Sequence, residues 1–291
     1  MTIDLEDWYH LLDHPLTKSP EQWVTFESRV EKNVHWLLEL LDKYNIQATW
    51  FCLGWVAARY PSLIREVAKR HEIGCHTYLH QLVYEQDRQQ FIADAKQAKS
   101  VLEDITGCSI NTFRAAGFSV TPKSPWYFEA LSEVGFRIDS SVFPARRQHG
   151  GHPSFGIDKP CRIQTNYGEL LEFPLPVKLV AGRSLVYSGG GYFRLLPYQL
   201  IRRWIGQSDY SLTYFHPRDF DPSQPLAPGL PLKRRFMSYY GLKSSRAKFE
   251  SLLRDFKFES IGAVAERLHH LHLPLLQIGD DGSVISQLKN A

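Results

Sequence analysis

The chain has 291 residues, of which 43% are hydrophobic and 22% are charged, and its net charge is +3. This length and composition describe a globular protein with a sizeable core and exclude a disordered chain. Because 34 basic residues are nearly balanced by 31 acidic ones, we expect no nucleic-acid partner. The chain has neither an apolar run of about 20 residues nor a basic and apolar leader, which predicts no transmembrane segment. If Met1 is the natural start, we expect a cytoplasmic protein.

The first 139 residues alternate between short apolar runs and amphipathic segments. Periodicity predicts strands at 1–5, 46–52, 72–75, 112–114 and 136–139, and helices at 29–44, 61–70, 87–106 and 125–134. Residues 10–27 lack a clear period and are predicted as a loop. Strand–helix units of about 25–40 residues without hairpin signals indicate an α/β fold with a parallel sheet and crossover helices.

The pattern changes after residue 144. Residues 145–195 are rich in Gly, Pro, Arg and aromatics, and we predict an irregular β/loop insertion there, over the active edge of the sheet. Within it we expect strands at 170–174 and 177–180 and a loop at Gly189–Phe193. Beyond it we predict helices at 197–205, 244–256 and 260–269, a strand at 212–217, a loop at 222–231, and a terminal strand and tail. No repeat or linker interrupts the chain, so we expect a single domain.

Polar residues stand at the carboxyl ends of four predicted strands, namely Asp4, His76, Arg114 and Asp139. Parallel strands present these ends at one edge, where α/β barrels and open α/β sheets place their chemistry. The four widely spaced cysteines form no CxxC pair, and three lie in or beside apolar runs, which predicts buried free thiols in a reducing compartment.

His76 and His80 are four residues apart, so on a helical turn both imidazoles would reach one metal ion. The acidic cluster Asp4-Leu5-Glu6-Asp7 offers a carboxylate as a third ligand. A pair of surface or packing histidines is the alternative. We interpret four other histidines as surface or loop residues: His10, His14, His149 and His152.

In order along the chain, these residues resemble the five motifs of the polysaccharide deacetylases, carbohydrate esterase family four with NodB homology. The motifs are Asp4-x-Glu6-Asp7, His76-Thr77-x-x-His80, Arg114-Ala115-Ala116-Gly117, Asp139 and Tyr214-Phe215-His216. The flanking segments are similar to a subgroup associated with bacterial exopolysaccharide loci, notably Gly190-Gly191-Tyr192-Phe193-Arg194 and His216-Pro217-Arg218-Asp219-Phe220-Asp221-Pro222.

The resemblance implies a distorted (β/α)7-type barrel and one polysaccharide-deacetylase domain over residues 1–291, with a family-specific C-terminal part at 217–291. It also implies a divalent metal, usually Zn²⁺. The implied substrate is an N-acetylated amino sugar of the GlcNAc type, in an exopolysaccharide or in its lipid- or nucleotide-linked precursor.

By position, the resemblance also implies a role for each motif residue. Asp4 would be the general base, Arg114 would hold it ionised, and the Gly117 N–H would help to bind the oxyanion. His216 would be the general acid, with Asp139 orienting it. His76 and His80 would bind the metal.

The first motif departs from the usual pair of adjacent aspartates. Because side chains alternate along a strand, Asp4 and Glu6 share a face, which favours Glu6 as the carboxylate ligand, with Asp7 as the alternative. Two other functions stay open: hydrolysis of a non-sugar amide such as a cyclic ureide, and an inactive carbohydrate-binding relative. The histidine pair argues against a metal-free ureide hydrolase.

Overall fold

The computed structural model describes residues 1–12, 14–147 and 150–286. The strands are β1 Thr2–Leu5, β2 Thr49–Cys52, β3 Glu72–Cys75, β4 Thr112–Phe113, β5 Ile138–Asp139, β6 Cys161–Thr165, β7 Gly168–Glu172, β8 Lys178–Val180, β9 Arg183–Leu185, β10 Tyr214–Phe215, β11 Leu275–Ile278 and β12 Val284–Ser286. The helices are α1 Pro20–Trp23, α2 Val30–Lys43, α3 Gly54–Arg59, α4 Pro61–Ala68, α5 Arg88–Thr106, α6 Tyr127–Val134, α7 Gly190–Leu195, α8 Tyr198–Gly206, α9 Leu232–Tyr239, α10 Leu242–Asp255 and α11 Ile261–Leu268.

Ten strands form one sheet in the order β10-β1-β2-β3-β4-β5-β7-β6-β11-β12. The first seven strands in this order are parallel to their neighbours, whereas β6 is antiparallel to β7 and β12 is antiparallel to β11. This mainly parallel arrangement confirms the predicted α/β class. Among the described residues, no strand pairing joins the β10 edge to the β12 edge.

Apolar side chains at helical spacing attach the helices to the sheet, as α2 illustrates. Val30, Val34, Leu37 and Leu41 recur every three or four residues, and each is at most 1% exposed. They belong to the same core cluster as Ile3 of β1. All residues of β1 and β2 are buried, as expected for parallel strands covered on both faces.

Residues 145–195 are only partly an insertion. Here β7 pairs in parallel with β5, with Glu172 opposite Asp139, so β7 is an integral strand of the main sheet. The antiparallel pairing of β6 and β7 extends the sheet, while β8 and β9 form a separate two-stranded sheet. The β6–β7 turn at Asn166-Tyr167 lacks the Asn-Gly or Asp-Gly pair that marks most two-residue hairpins, which explains why sequence reasoning missed it.

Four helices were not expected from the sequence: α1, α3, α7 and α9. The first three have only four to six residues, too few to display a helical period. Two glycines begin α7, in the segment predicted as a loop, and glycine disfavours helix. Helix α9 has eight residues, none of them buried, and the sequence predicted no element there.

The segment before α7 lies directly against β10. Gly189 forms a parallel bridge with Tyr214, and a Cβ atom at position 189 would lie 1.8 Å from the Tyr214 carbonyl oxygen. Only glycine allows this approach of the two backbones. The contact fixes the α7 segment beside the strand that leads to His216.

We expect Gly189→Ala to lower the free energy of unfolding by about 1–3 kcal/mol, because the added methyl forces the two backbones apart. Gly206→Ala is the matched control, since a Cβ atom there meets nothing closer than a ring carbon of Phe256 at 4.0 Å. Urea denaturation of both variants measures the difference. Equal stability of the two variants would contradict the close packing of Gly189 on Tyr214.

Candidate active site

The site is built around Arg114, which follows β4 and is fully buried. Its Nη1 donates to Asp4 Oδ1 and to Thr2 Oγ1, each at 2.7 Å. Its Nε and Nη2 donate to the carbonyl and hydroxyl oxygens of Ser140 at 3.0 and 2.8 Å. These acceptors lie on β1 and just after β5, whereas Arg114 lies just after β4. The guanidinium therefore fixes the Asp4 carboxylate relative to the ends of the neighbouring strands.

Three of the expected ligands come together. One ligand atom each from Glu6, His76 and His80 lies within 4.8 Å of the others, and all three residues are buried. The shortest contact is 2.8 Å, between Glu6 Oε2 and His80 Nε2. Two imidazoles and one carboxylate form a donor set that suits a catalytic Zn²⁺ or a similar divalent ion.

The environment of Glu6 is consistent with this donor set holding an ion. Its Oε2 atom is buried and accepts no hydrogen bond, although His80 Nε2 is close. A buried carboxylate oxygen without a donor is costly, and an ion shared with the imidazoles would satisfy it. Burial alone would raise the pKa of Glu6, but the imidazoles of His80 and His216 outweigh it and hold the pKa well below its usual range.

The two histidines reach one point by a different route from the helical turn expected from their spacing. Residues between His76 and His80 form no helix; Thr77 and His80 have φ values of 62° and 56°. The Asp94 carboxylate of α5 accepts the Tyr78 and Leu79 N–H groups at 2.7 and 2.9 Å. This buried cap holds the loop in its left-handed conformation, so the expected helical turn was wrong.

The backbone around Arg114 also orients His76. His76 Nδ1 lies 2.8 Å from the Arg114 carbonyl oxygen, which can only accept, so Nδ1 carries the proton and the lone pair is on Nε2. Burial lowers the pKa of His76 to about 4, which keeps the ring neutral. A neutral imidazole with its other nitrogen fixed by a carbonyl is the form in which histidine binds metals.

Asp7, the alternative ligand, lies outside this group. Its Oδ2 accepts hydrogen bonds from the Ser28 hydroxyl at 2.6 Å and the Arg29 N–H at 3.0 Å, and its Oδ1 accepts the Trp8 N–H. Asp7 therefore anchors the segment that precedes α2. The geometry favours Glu6, as strand alternation predicted, and its role as a ligand stays a prediction.

His216 follows β10 and faces two carboxylates, that of Asp4 on β1 and that of Glu6 just after β1. Its Nε2 lies 3.8 Å from Asp4 Oδ2 and 3.6 Å from Glu6 Oε1. Its Nδ1 lies 2.9 Å from Asp219 Oδ2, which also accepts the His216 N–H. Burial lowers the pKa of His216, while Glu6 and Asp4 act in the opposite direction.

Asp219 is in turn held by Arg194. The Arg194 Nη1 group contacts Asp219 Oδ1, and both side chains are buried. Arg194 also donates from Nε to the Tyr240 carbonyl at 3.1 Å and from Nη2 to the Met237 carbonyl at 2.7 Å. Arg194 and Asp219 both stand in the flanking segments named in the sequence analysis, and the sequence assigned neither of them a role. The available signal was the His216-Pro-x-Asp219 spacing, since an acid three residues into a Pro-initiated turn folds back on its first residue.

Asp139 does not contact the His216 ring, which corrects its expected role in orienting the acid. Its Oδ1 accepts the Ser140 N–H, the Ser141 hydroxyl and the Tyr127 hydroxyl instead. Glu172 of β7 lies opposite Asp139 in the sheet, and burial raises the pKa of both carboxyls. Asp139 is therefore part of the buried contact between β5 and β7.

A cleft of about 820 Å³ contains Asp4, the three-ligand group and His216. Gly117, with φ of 61°, lines the cleft and packs against Leu12 and Leu82. Its expected role at the oxyanion stays a prediction. Much of the remaining lining comes from the second half of the chain and is basic: Arg146, Arg147, Arg194, Arg218, Lys233 and Arg234.

Four other histidines were expected on the surface or in loops, and three of these are buried: His10, His14 and His152. His149 lies outside the described residues. His10 lines the cleft, and its Nδ1 accepts the Asp7 N–H at 2.8 Å. Burial lowers the pKa of His10 to about 3, so the ring is neutral.

The four cysteines are all free, as predicted. Cys52, Cys75 and Cys161 are buried, and Cys108 is exposed.

Comparison with known families agrees with this architecture. Residues 16–137 match the polysaccharide deacetylase family, and residues 140–266 match a family described as a domain of unknown function (DUF3473). The first of these two segments is thus similar to the polysaccharide deacetylases. That segment contains His76, His80, Arg114 and Gly117, whereas Asp4 lies outside it.

A curated relative covers a smaller part. A bifunctional xylanase/deacetylase of Pseudobutyrivibrio xylanivorans is 27% identical over 99 residues, which are 33% of this chain and 16% of that protein. The chain therefore spans about a sixth of the length of this relative.

Solved structures share the fold over nearly the whole chain. A structure from Mycobacterium smegmatis, provisionally assigned as a polysaccharide deacetylase, has a TM-score of 0.63 at 20% identity and covers 92% of this chain and 88% of that one. A similar provisional assignment from Pseudomonas aeruginosa has a TM-score of 0.58 at 16% identity, covering 93% and 90%. An allantoinase has a TM-score of 0.58 at 15% identity, covering 93% and 89%.

Among the described residues, no helix is long and apolar enough to cross a membrane.

We expect the purified protein to hold about one equivalent of a divalent ion, because three buried donors converge on one point. His76→Ala/His80→Ala is expected to lose it. Asp7→Asn is the control and is expected to retain it, since Asp7 bonds elsewhere. Elemental analysis after dialysis measures the ion. Equal loss in Asp7→Asn would contradict the assignment of Glu6 as the carboxylate ligand.

Proposed function

We propose that this chain is a metal-dependent hydrolase that removes N-acetyl groups from an amino sugar of the GlcNAc type. The proposed substrate is a bacterial exopolysaccharide or its precursor. One observation carries the proposal: a base candidate, an acid candidate and a three-donor metal group lie together in one cleft. Amide hydrolysis needs these parts, because water must be activated, the developing oxyanion stabilised and the leaving amine protonated.

A Zn²⁺ or similar ion held by Glu6, His76 and His80 would polarise the acetamide carbonyl and make water more acidic. Asp4 accepts the proton from the attacking water. Its Oδ1 is occupied by Arg114 at 2.7 Å, which leaves Oδ2, on the side of His216, for the proton. The Arg114 guanidinium also holds this carboxylate in a fixed orientation.

His216 donates the proton to the leaving amine. Asp219 is a carboxylate acceptor, so His216 Nδ1–H points to it and Nε2 points into the cleft. The negative charge of Asp219 also stabilises the imidazolium. Asp219 is therefore a positioning residue, and Arg194 fixes it in turn. The Gly117 N–H is the proposed backbone donor to the oxyanion.

The match of residues 16–137 to the polysaccharide deacetylase family supports an N-acetylated sugar as the substrate, and the similarity of the flanking segments to an exopolysaccharide-associated subgroup supports the finer assignment. The likeness to an allantoinase extends to the fold only. The direct test is acetate release from N-acetylglucosamine oligomers by the Zn²⁺-loaded protein, with a cyclic ureide assayed in parallel. Acetate release that stops after chelation supports the proposal. Ureide hydrolysis without acetate release would replace it with the non-sugar amidase.

We expect Asp4→Asn to retain the metal and to lose about 10²- to 10⁴-fold in kcat, because the change removes a base and no ligand. His80→Ala is expected to lose both metal and activity. Acetate release and elemental analysis on the same preparations separate these outcomes. Loss of the metal in Asp4→Asn would show that Asp4 is a ligand.

We expect Asp219→Asn to lower kcat by about 10- to 100-fold and to move the basic limb of the kcat/KM profile to lower pH. The sign follows because removal of the carboxylate destabilises the imidazolium and lowers the pKa of the acid. Asp139→Asn is the matched comparison and should leave the basic limb in place, since Asp139 bonds Ser140 and Tyr127. A shifted limb in Asp139→Asn alone would restore Asp139 as the residue that orients His216.

A further inference from the structure

Helix α9 carries an apolar stripe that no other part of the described chain covers. Leu232, Phe236 and Tyr240 recur every four residues on one side of α9 and its C-terminal cap, and they are 83%, 50% and 49% exposed. The rings of Phe236 and Tyr240 pack on each other with centroids 4.7 Å apart. Large apolar side chains grouped on one helix face mark an interaction surface, whereas isolated ones do not.

The segment around this stripe is strongly basic. Between Asp221 and Glu250 the sequence has no acidic residue and has six basic ones: Lys233, Arg234, Arg235, Lys243, Arg246 and Lys248. Arg246 and Lys248 point inward and donate to backbone carbonyls of Phe220 and Leu196. Lys233 and Arg235 on α9 and Lys243 at the start of α10 are exposed.

The stripe is held in its exposed position by the structure beneath it. Arg194 donates to the Met237 and Ser238 carbonyls of α9. The Tyr239 hydroxyl donates to the Pro225 carbonyl and accepts the Ala227 N–H, which ties α9 to the preceding loop. These bonds anchor the C-terminal end of α9 while its apolar stripe remains exposed.

We propose that α9 docks on an anionic phospholipid surface, with Leu232, Phe236 and Tyr240 in the interface and Lys233, Arg235 and Lys243 on the headgroups. A short helix with an apolar face bordered by Lys and Arg is the kind of element that lies in a bilayer interface. The charge is complementary to acidic headgroups, and each nearby cation adds to the attraction. Tyr240 suits the headgroup level, where a ring has one apolar and one wet end.

The small size of the surface favours a bilayer over a second protein. An eight-residue helix is about 12 Å long, and a stable protein–protein interface buries more than about 1,000 Å², which this helix cannot provide alone. Pro231, Lys233 and Met237 of the same segment line the candidate active-site cleft. Docking through α9 would therefore place the mouth of the cleft beside the membrane.

The test is co-sedimentation of the full chain with phosphatidylglycerol vesicles and, in parallel, with phosphatidylcholine vesicles. We expect binding to the anionic vesicles only, and its loss in about 0.5 M NaCl, where the Debye length is only a few ångströms. Binding is independent of catalysis, so it can succeed or fail whether or not the chain is a deacetylase.

Two variants separate the two parts of the surface. Leu232→Ser/Phe236→Ser removes the apolar part, and Arg235→Gln/Lys243→Gln removes two exposed cations outside the cleft lining. Each is expected to weaken binding by about tenfold or more. The matched controls change exposed residues elsewhere and should bind like the unmodified chain: Leu179→Ser for the first, and Lys32→Gln/Lys69→Gln for the second.

Three results would overturn the proposal. The first is no binding to phosphatidylglycerol vesicles at low salt. The second is binding that is unchanged in both α9 variants, which would place the contact elsewhere. The third is a dimer in sedimentation velocity that dissociates in Leu232→Ser/Phe236→Ser, which would make the stripe an interface between copies of this chain.

Discussion

The arrangement of the candidate site depends on one buried cation, the guanidinium of Arg114. A charge that is fully withdrawn from water is tolerated only when acceptors surround it, and here Asp4, Thr2 and Ser140 provide them. The rings of Phe51 and Phe118 cover its faces, with centroids 4.1 and 4.9 Å from the guanidinium carbon. The main chain of the same residue accepts the proton of His76 Nδ1. One residue thereby positions the proposed base and one proposed ligand together.

The proposed acid depends on a different part of the chain. His216, Asp219 and Arg194 all lie in the region that matches the family of unknown function, whereas the two histidines of the metal group lie in the deacetylase match. The cleft therefore takes its lining from both matched regions, which pack on either side of β1. This explains why Gly189 must approach Tyr214 so closely, since the contact brings α7, and with it Arg194, beside the strand that carries His216.

The parts that could be predicted from sequence are those set by local pattern. Helices α2 and α5 were predicted within a residue or two, because long amphipathic periods are distinctive. The grouping of Asp4, His76 and Arg114 followed from the rule that parallel strands end at one edge. Alternation along β1 was enough to favour Glu6 over Asp7, and the structure turns Asp7 towards Ser28.

What could not be predicted depends on contacts between distant segments. The spacing of His76 and His80 is compatible with a helix, and contacts with distant segments, notably with Asp94 of the following helix, hold the intervening loop in another conformation. Asp139 was assigned to His216 by resemblance, yet Glu172 lies opposite it across the sheet, and β7 was not recognised as a sheet strand. A pairing 33 residues along the chain leaves no periodic signal in either segment.

Arg194 links the proposed acid to the exposed helix. Its guanidinium contacts Asp219 on one side and the carbonyls of Met237, Ser238 and Tyr240 on the other. These carbonyls lie at the end of α9, where a helix leaves its last carbonyls without intrahelical partners, so a cation there satisfies them and favours the dipole. The same side chain therefore anchors α9, exposes its apolar stripe and holds the carboxylate that orients His216. The position of α9 and the orientation of His216 are therefore stabilised by one hydrogen-bond network that has Arg194 at its centre.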